Sequence, residues 1–181
     1  MPRPLRWFEP GASFHVIQRG HNRCEVFRDD ADCDRFLAEV RRAAVRWRTS
    51  VHGFALMKTH YHLVVTPSTH DSLPYTVKQF GGEYVRYFNR KYECIGTLWS
   101  DRYRSIWIKD DRQVLTCLRY VDRNPVAAHF VDSPEKYRWS SYRAHAFGAS
   151  EMWLVEHPTY TGLGQTAQTR RAVYRTLCSA I

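Results

Sequence analysis

Two apolar stretches, VHGFALM at 51–57 and HYHLVVT at 60–66, are separated by only Lys58 and Thr59. Each reads as a strand, and a two-residue connection leaves no arrangement other than an antiparallel hairpin. Pro67 ends the second strand, since proline cannot donate to a ladder. On either side of this hairpin stands a long amphipathic segment. Upstream, Asp30 to Arg48 places Phe36, Leu37, Val40, Ala44 and Trp47 at helical spacing behind acidic starting residues. Downstream, Ser72 to Lys91 carries an apolar stripe of Leu73, Val77, Phe80, Tyr84 and Tyr87/Phe88. Gly81-Gly82 marks a kink in it or a close approach of another backbone. Outside the helices, SFHVIQR at 13–19 alternates apolar and polar residues, and RSIWIK at 104–109 reads as a further strand. The order β-α-β-β-α-β predicts an α+β, ferredoxin-like antiparallel sheet with helices on one face. A third helix is expected from Asp110 to about Arg123, disturbed by Pro125, and the chain from Tyr137 onward reads as helical in pieces. With no repeat, low-complexity tract or linker, a single domain over 1–181 is expected, its core at about 13–145 and a C-terminal extension at about 146–181.

Charge narrows the partner. The sequence has 27 Lys plus Arg against 18 Asp plus Glu, a balance of +9. Lysine occurs only at 58, 78, 91, 109 and 136, so the basic side is 22 Arg. Guanidinium grips phosphate in a bidentate fork and stacks on flat rings, so an arginine-dominated surface points to a phosphate-rich partner. Five cysteines with no CxxC pair signal neither a disulfide framework nor a zinc ribbon. The opening MPRPLRWFEPG has no apolar run of leader length, and no segment approaches 18 apolar residues. A soluble cytoplasmic, nucleoid-associated protein without membrane contact is the expectation.

Two local patterns carry chemistry. His60-Tyr61-His62 lies in a strand, so both imidazoles point to one face, about 7 Å apart at Cα. Both could reach one ion, although a polar sheet face carrying two histidines gives the same pattern. His15 and His52, each also on a strand, could sit near this site, although a structural role is the more ordinary reading of each. In the third helix Val114, Leu115, Leu118 and Val121 form the buried stripe, whereas Gln113, Cys117, Tyr120 and Asn124 occupy another face. Tyr120 and Asn124 stand one turn apart and can project into one site, supplying a nucleophile and a neutral oxygen ligand. Spacing alone leaves open an interfacial core role for Tyr120. Asn124 precedes Pro125, which disfavours helical backbone there.

With these residues in place the chain resembles the single-tyrosine HUH transposases of bacterial insertion sequences. It is most similar to their domesticated branch, the REP-associated tyrosine transposases. The likeness runs from about Phe14 to Tyr142 through FHVIQRGHNRCEVF, MKTHYHLVV, GTLWSDRYRS, RYVDRNPVAA and YRWSSY, in that order. The resemblance implies a catalytic Tyr120, metal ligands His60, His62 and Asn124, and Mg²⁺ or Mn²⁺ as cofactor. Thr59 departs from the asparagine common before the first histidine. The implied activity is single-strand DNA cleavage and strand transfer on REP-like hairpins through a 5′-phosphotyrosine, by a monomer or homodimer. A hairpin-binding protein with weak or lost catalysis is the alternative. Candidate DNA contacts are Arg19, Arg86, Arg90, Arg102 and Arg104 on phosphates and Trp99, Tyr103 and Trp107 on bases.

Overall fold

The structure is a computed structural model and describes residues 8–150 and 153–179. The stretch 1–7, part of the opening read above for a leader, lies outside the described residues. Four strands, β1 (Ser13–Arg19), β2 (Thr49–Met57), β3 (His60–Pro67) and β4 (Arg104–Ile108), form one sheet. Its order is β2-β3-β1-β4 and every pair is antiparallel. Helices α1 (Asp30–Arg46) and α2 (Ser72–Tyr92) cover one face. This is the ferredoxin-like arrangement expected from the element order, with β1 and β3 at the centre.

Strand alternation divides β3 between two cores. Tyr61, Leu63 and Val65 pack with Phe36, Phe80 and Tyr84 beneath α1 and α2. Val64 belongs to a second core on the opposite face, with Val114, Leu118 and Val121 of α3 (Asp111–Ala127). Three shorter helices, α4 (Tyr142–Phe147), α5 (Pro158–Thr161) and α6 (Ala167–Ser179), complete that second layer. Tyr142, Tyr160 and Tyr174 are their buried aromatic contributions. A fully buried aromatic such as Phe36 fixes the first layer, and its truncation to alanine would cost about 3–5 kcal/mol.

Helix ends follow local chemistry. Asp29 caps α1 by accepting from the Asp32 amide, and Asp110 caps α3 by accepting from the Gln113 amide at 2.8 Å. Asp110 is thus the cap of the third helix and not its first residue. Arg48, at φ 51°, has turned out of α1, which stops at Arg46. Pro125 does not end α3. Proline removes one amide donor, but the following turn is closed by Ala128 donating to the Asn124 carbonyl and His129 donating to that of Val126. The pyrrolidine ring is buried, so packing holds the helix together past the missing bond. Asn124 therefore stays on the helix, one turn beyond Tyr120.

Gly53 sets the height of α3 over the sheet. A Cβ there would lie 2.9 Å from Leu118 Cδ2 and 3.1 Å from Ser141 Oγ. The bare backbone allows α3 to seat directly on β2. In α2, by contrast, a Cβ on Gly81 would meet only Trp99 Nε1 at 3.8 Å, an ordinary contact. The helix runs through Gly81-Gly82 without interruption.

Candidate active site

On the α3 face of the sheet, β3 presents His60 and His62 with ring centroids 5.0 Å apart. The antiparallel register pairs Ile17 with His62 and His15 with Val64, so His15 is a diagonal neighbour of His62 on the same face. Its Nε2 lies 2.9 Å from His62 Nδ1 in a buried hydrogen bond. His60 Nδ1 is 3.1 Å from the Thr59 hydroxyl. From above, α3 brings Tyr120 edge-on to both inner rings, 5.8 Å from His62 and 5.9 Å from His15 between centroids. The sequence allows His15 near the site without placing it there. The signal that could have found it is pairing: once β1 lies beside β3, alternation puts Ser13, His15, Ile17 and Arg19 on the histidine face.

Exposure separates Tyr120 from the tyrosines of α4, α5 and α6. Its side chain is 52% exposed, while Tyr142, Tyr160 and Tyr174 are buried. The phenol borders a cleft of about 590 Å³ lined by His15, Ile106, Trp107, Gln113 and Cys117. Arg112 stands at its side.

The three imidazoles are held neutral. Burial pulls His15 down to about 4. His60 falls to about 4 through burial and then the charge of Arg19. His62 falls to about 2 through burial, with His15, His60 and Arg19 adding repulsion. A neutral imidazole offers one nitrogen lone pair. His62 Nε2 is buried and has no hydrogen-bond partner. An unpaired buried polar atom costs on the order of 1–3 kcal/mol unless a ligand takes it up. That orphaned nitrogen, beside a second imidazole whose Nδ1 is likewise engaged, fits a divalent cation. His15 is no third ligand in this arrangement, because its Nε2 is spent on His62. Among the described residues no group of three His, Cys, Asp or Glu side chains converges on a common ion position. The remaining donors would then be oxygen atoms.

The candidate DNA contacts fall into three groups. Arg19 is exposed at the end of β1, directly across from His60, and Arg104 is exposed on β4 across from Ile17. Both lie on the strands that carry the site, and Arg102 is exposed just before β4. Arg86 and Arg90 are exposed on α2, across the sheet from Tyr120, and Arg86 is paired with Glu83. They can meet only a substrate that wraps around the sheet edge. Trp99 and Tyr103 correct the expectation of base-stacking platforms. At 9% and 8% exposure they belong to the first core, Trp99 with its ring 5.5 Å from that of Tyr61. Loop residues of this kind were drawn inward by packing that sequence does not reveal. Trp107, on the edge strand, is 55% exposed.

The family model for IS200-like transposases matches residues 10–124. No curated protein sequence matches the chain. A REP-associated tyrosine transposase bound to a REP hairpin has a similar structure, with a TM-score of 0.64 at 13% identity over 87% of this chain and 93% of that one. At that identity the likeness establishes a shared fold. A candidate transposase from Deinococcus radiodurans R1 gives a TM-score of 0.47 at 18% identity, over 64% of this chain and 92% of that one. The tRNA(His) guanylyltransferase of Saccharomyces cerevisiae gives 0.48 at 11%, over 97% and 81% respectively.

Proposed function

Because the chain belongs to the IS200-like transposase family, we propose that it cuts and rejoins single-stranded DNA at REP-like hairpins, with Tyr120 as the nucleophile. His60, His62 and Asn124 would hold Mg²⁺ or Mn²⁺. The fold shared with a transposase captured on a REP hairpin supports the choice of substrate. Residues 1–181 would act as one unit around a core at about 13–145. Tyr120 faces the histidines of its own chain, which favours a site that one subunit can complete. Among the described residues no helix is long and apolar enough to cross a membrane, and the nucleoid is the proposed place of work.

The chemistry follows from the side chains. A phosphodiester repels nucleophiles through its anionic oxygens, and a free phenol, with an ordinary pKa of about 10, is a weak nucleophile near neutrality. When bound, the divalent ion supplies charge withdrawal from a non-bridging phosphate oxygen. His60 and His62 contribute neutral nitrogen donors, and Asn124 a neutral oxygen, so the site keeps a net positive charge for phosphate. Imidazole donors tilt the preference toward Mn²⁺. Arg19 and Arg104 border the site and attract the flanking backbone. Tyr120 attacks in line: its Oη–P bond forms, the P–O3′ bond breaks, and the proton given up by the phenol ends on the departing 3′-oxygen. The phosphotyrosine ester retains transfer potential, so an incoming 3′-OH can reverse the step.

The observation that carries this reading is an exposed phenol edge-on to the buried, neutral His62, whose Nε2 is unpaired. The experiment is a denaturing gel of the protein with a labelled single-stranded hairpin oligonucleotide and Mn²⁺. Wild type is expected to migrate covalently with the label, and Tyr120→Phe to bind without forming the adduct. Adduct in Tyr120→Phe would strip Tyr120 of its role. Tight hairpin binding with no adduct from wild type would leave a binding protein only.

A further inference from the structure

We propose that His15 and Thr59 are positioning residues: each engages the Nδ1 of one candidate ligand histidine, so that both Nε2 lone pairs are free for the same cation. The proposal deepens the metal assignment above and rests on His60 and His62 being its ligands.

The hydrogen bonds carry it. Between His15 Nε2 and His62 Nδ1, 2.9 Å apart, one nitrogen must donate and the other accept. If His62 accepted there, its proton would sit on Nε2, and the protein would bury an N–H donor with nothing to receive it. If His62 donates through Nδ1–H, the buried Nε2 is a bare lone pair, and an ion is the partner that satisfies it. On His60, Nδ1 meets the Thr59 hydroxyl at 3.1 Å, an oxygen that can accept from Nδ1–H and so leave the lone pair on Nε2. Two histidines two residues apart thus have the same end of the ring tied down, one by a neighbouring strand and one by the turn that precedes it. Outer partners of this kind fix ring orientation and tautomer in metal sites generally.

The fold explains why these two residues can do it. His15 reaches His62 only because β1 and β3 are adjacent in a fixed register. Thr59 sits in the two-residue turn of the hairpin, where its own carbonyl is also tied: Gly20 donates its N–H to it at 2.8 Å. Backbone of the turn and side chain of the ligand are therefore locked together. His15 is 7% exposed and lies against Tyr120, so replacing it changes little of the surface that DNA would meet.

The test uses full-length protein labelled with ¹⁵N-histidine. Long-range ¹H–¹⁵N spectra of the metal-free form at pH 7.5 report which ring nitrogen carries the proton, and Mn²⁺ titration followed by electron paramagnetic resonance reports affinity. Wild type is expected to carry its proton on Nδ1 in both His60 and His62. His15→Phe should weaken Mn²⁺ binding by roughly 10–100-fold, while His15→Gln, whose carbonyl can accept from Nδ1–H, should recover most of that loss. Thr59→Val should weaken binding and Thr59→Ser retain it. A proton on Nε2 of His62 in wild type overturns the proposal even if a variant fails to fold. So does a folded His15→Phe protein that binds Mn²⁺ as wild type does. Tyr120→Phe separates this from the nucleophile assignment: it should leave the tautomers and Mn²⁺ affinity unchanged while the covalent adduct disappears.

Discussion

Two groups of buried polar side chains lie on the α3 face of the same sheet, and they are finished differently. Beneath α3, Asp122 is fully buried and every contact is closed. Its Oδ1 accepts from the Ser141 hydroxyl at 2.5 Å, and its Oδ2 from Tyr174 at 2.6 Å and from His145 Nδ1 at 2.7 Å. His145 Nε2 donates in turn to the His52 carbonyl at 2.8 Å, and Tyr160 donates to the His145 carbonyl. On β1 and β3, facing Tyr120 of the same helix, the His15–His62–His60 row is left open at His62 Nε2. The closed network ties α3, α4, α6 and β2 together. A buried cluster with all partners in the chain serves structure, whereas one with a missing partner still has a lone pair or donor to offer a ligand.

The same contrast appears in charge. Burial would depress His145, but the Asp122 carboxylate beside it and the acceptors on both ring nitrogens raise it above its ordinary value. Both of its nitrogens donate, which only an imidazolium can do. His62, with no carboxylate to pair with, is pushed down to about 2 by burial first. One histidine is kept charged by the fold and the other is kept neutral.

Four experiments would break or sharpen that comparison. The largest effect is expected from Tyr120→Phe in the open region: complete loss of covalent adduct on a denaturing gel, with a thermal midpoint near that of wild type because the phenol is exposed. Next, His60→Ala and His62→Ala should each abolish Mn²⁺-dependent cleavage of the hairpin, as should excess chelator added to wild type. Cleavage that continues in chelator would remove the metal from the mechanism. In the closed region, Asp122→Ala strands a charged His145 and two hydroxyls, and should cost about 3–5 kcal/mol by urea denaturation. His62→Leu removes one unpaired nitrogen but also the hydrogen bond to His15, and should cost less, about 1–3 kcal/mol. Equal losses from those two substitutions would erase the distinction between the regions.

The smallest effect is a pH slope. Unfolded histidines take up protons near 6.5, while folded His15 and His60 resist until about 4 and His62 until about 2. Unfolding is then coupled to proton uptake, so these three sites stabilise fully above 6.5 and lose that contribution as pH falls below it. His145 has the opposite sign: its contribution is present below 6.5 and is lost as pH rises through its raised folded value. In chelator, the thermal midpoint of wild type should fall between pH 6.5 and 4, and His62→Leu should make that fall shallower. Identical slopes in the two proteins would mean that His62 is not held neutral by the fold.

Much of the framework was legible because it is written in local periodicity. The hairpin around Lys58-Thr59, both long helices, and the separation of Tyr120 from the Val114, Leu118 and Val121 stripe need only strand and helix repeats to be seen. Leu115, expected in that stripe, is only half-buried. Trp99 and Tyr103 were misread because a ring in a loop carries no periodic mark of the side it will face. Pro125 was expected to disturb α3, yet burial of its ring and the closed turn after it kept the helix intact. Asp122 carries no local signal, since a carboxylate next to Val121 looks exposed until α4 and α6 cover it.

The amino-acid order by itself determined the strands and helices, the shared face of His60 and His62, and the alignment of Tyr120 with Asn124, all of which depend on neighbours within a few turns or residues. Only the tertiary structure decided that His15 would join the site, that the Asp122 network would close and that Tyr120 would stay open to solvent. Those outcomes depend on contacts between residues far apart in the chain, whose distances are set by strand register and helix packing and not by any repeat in the sequence.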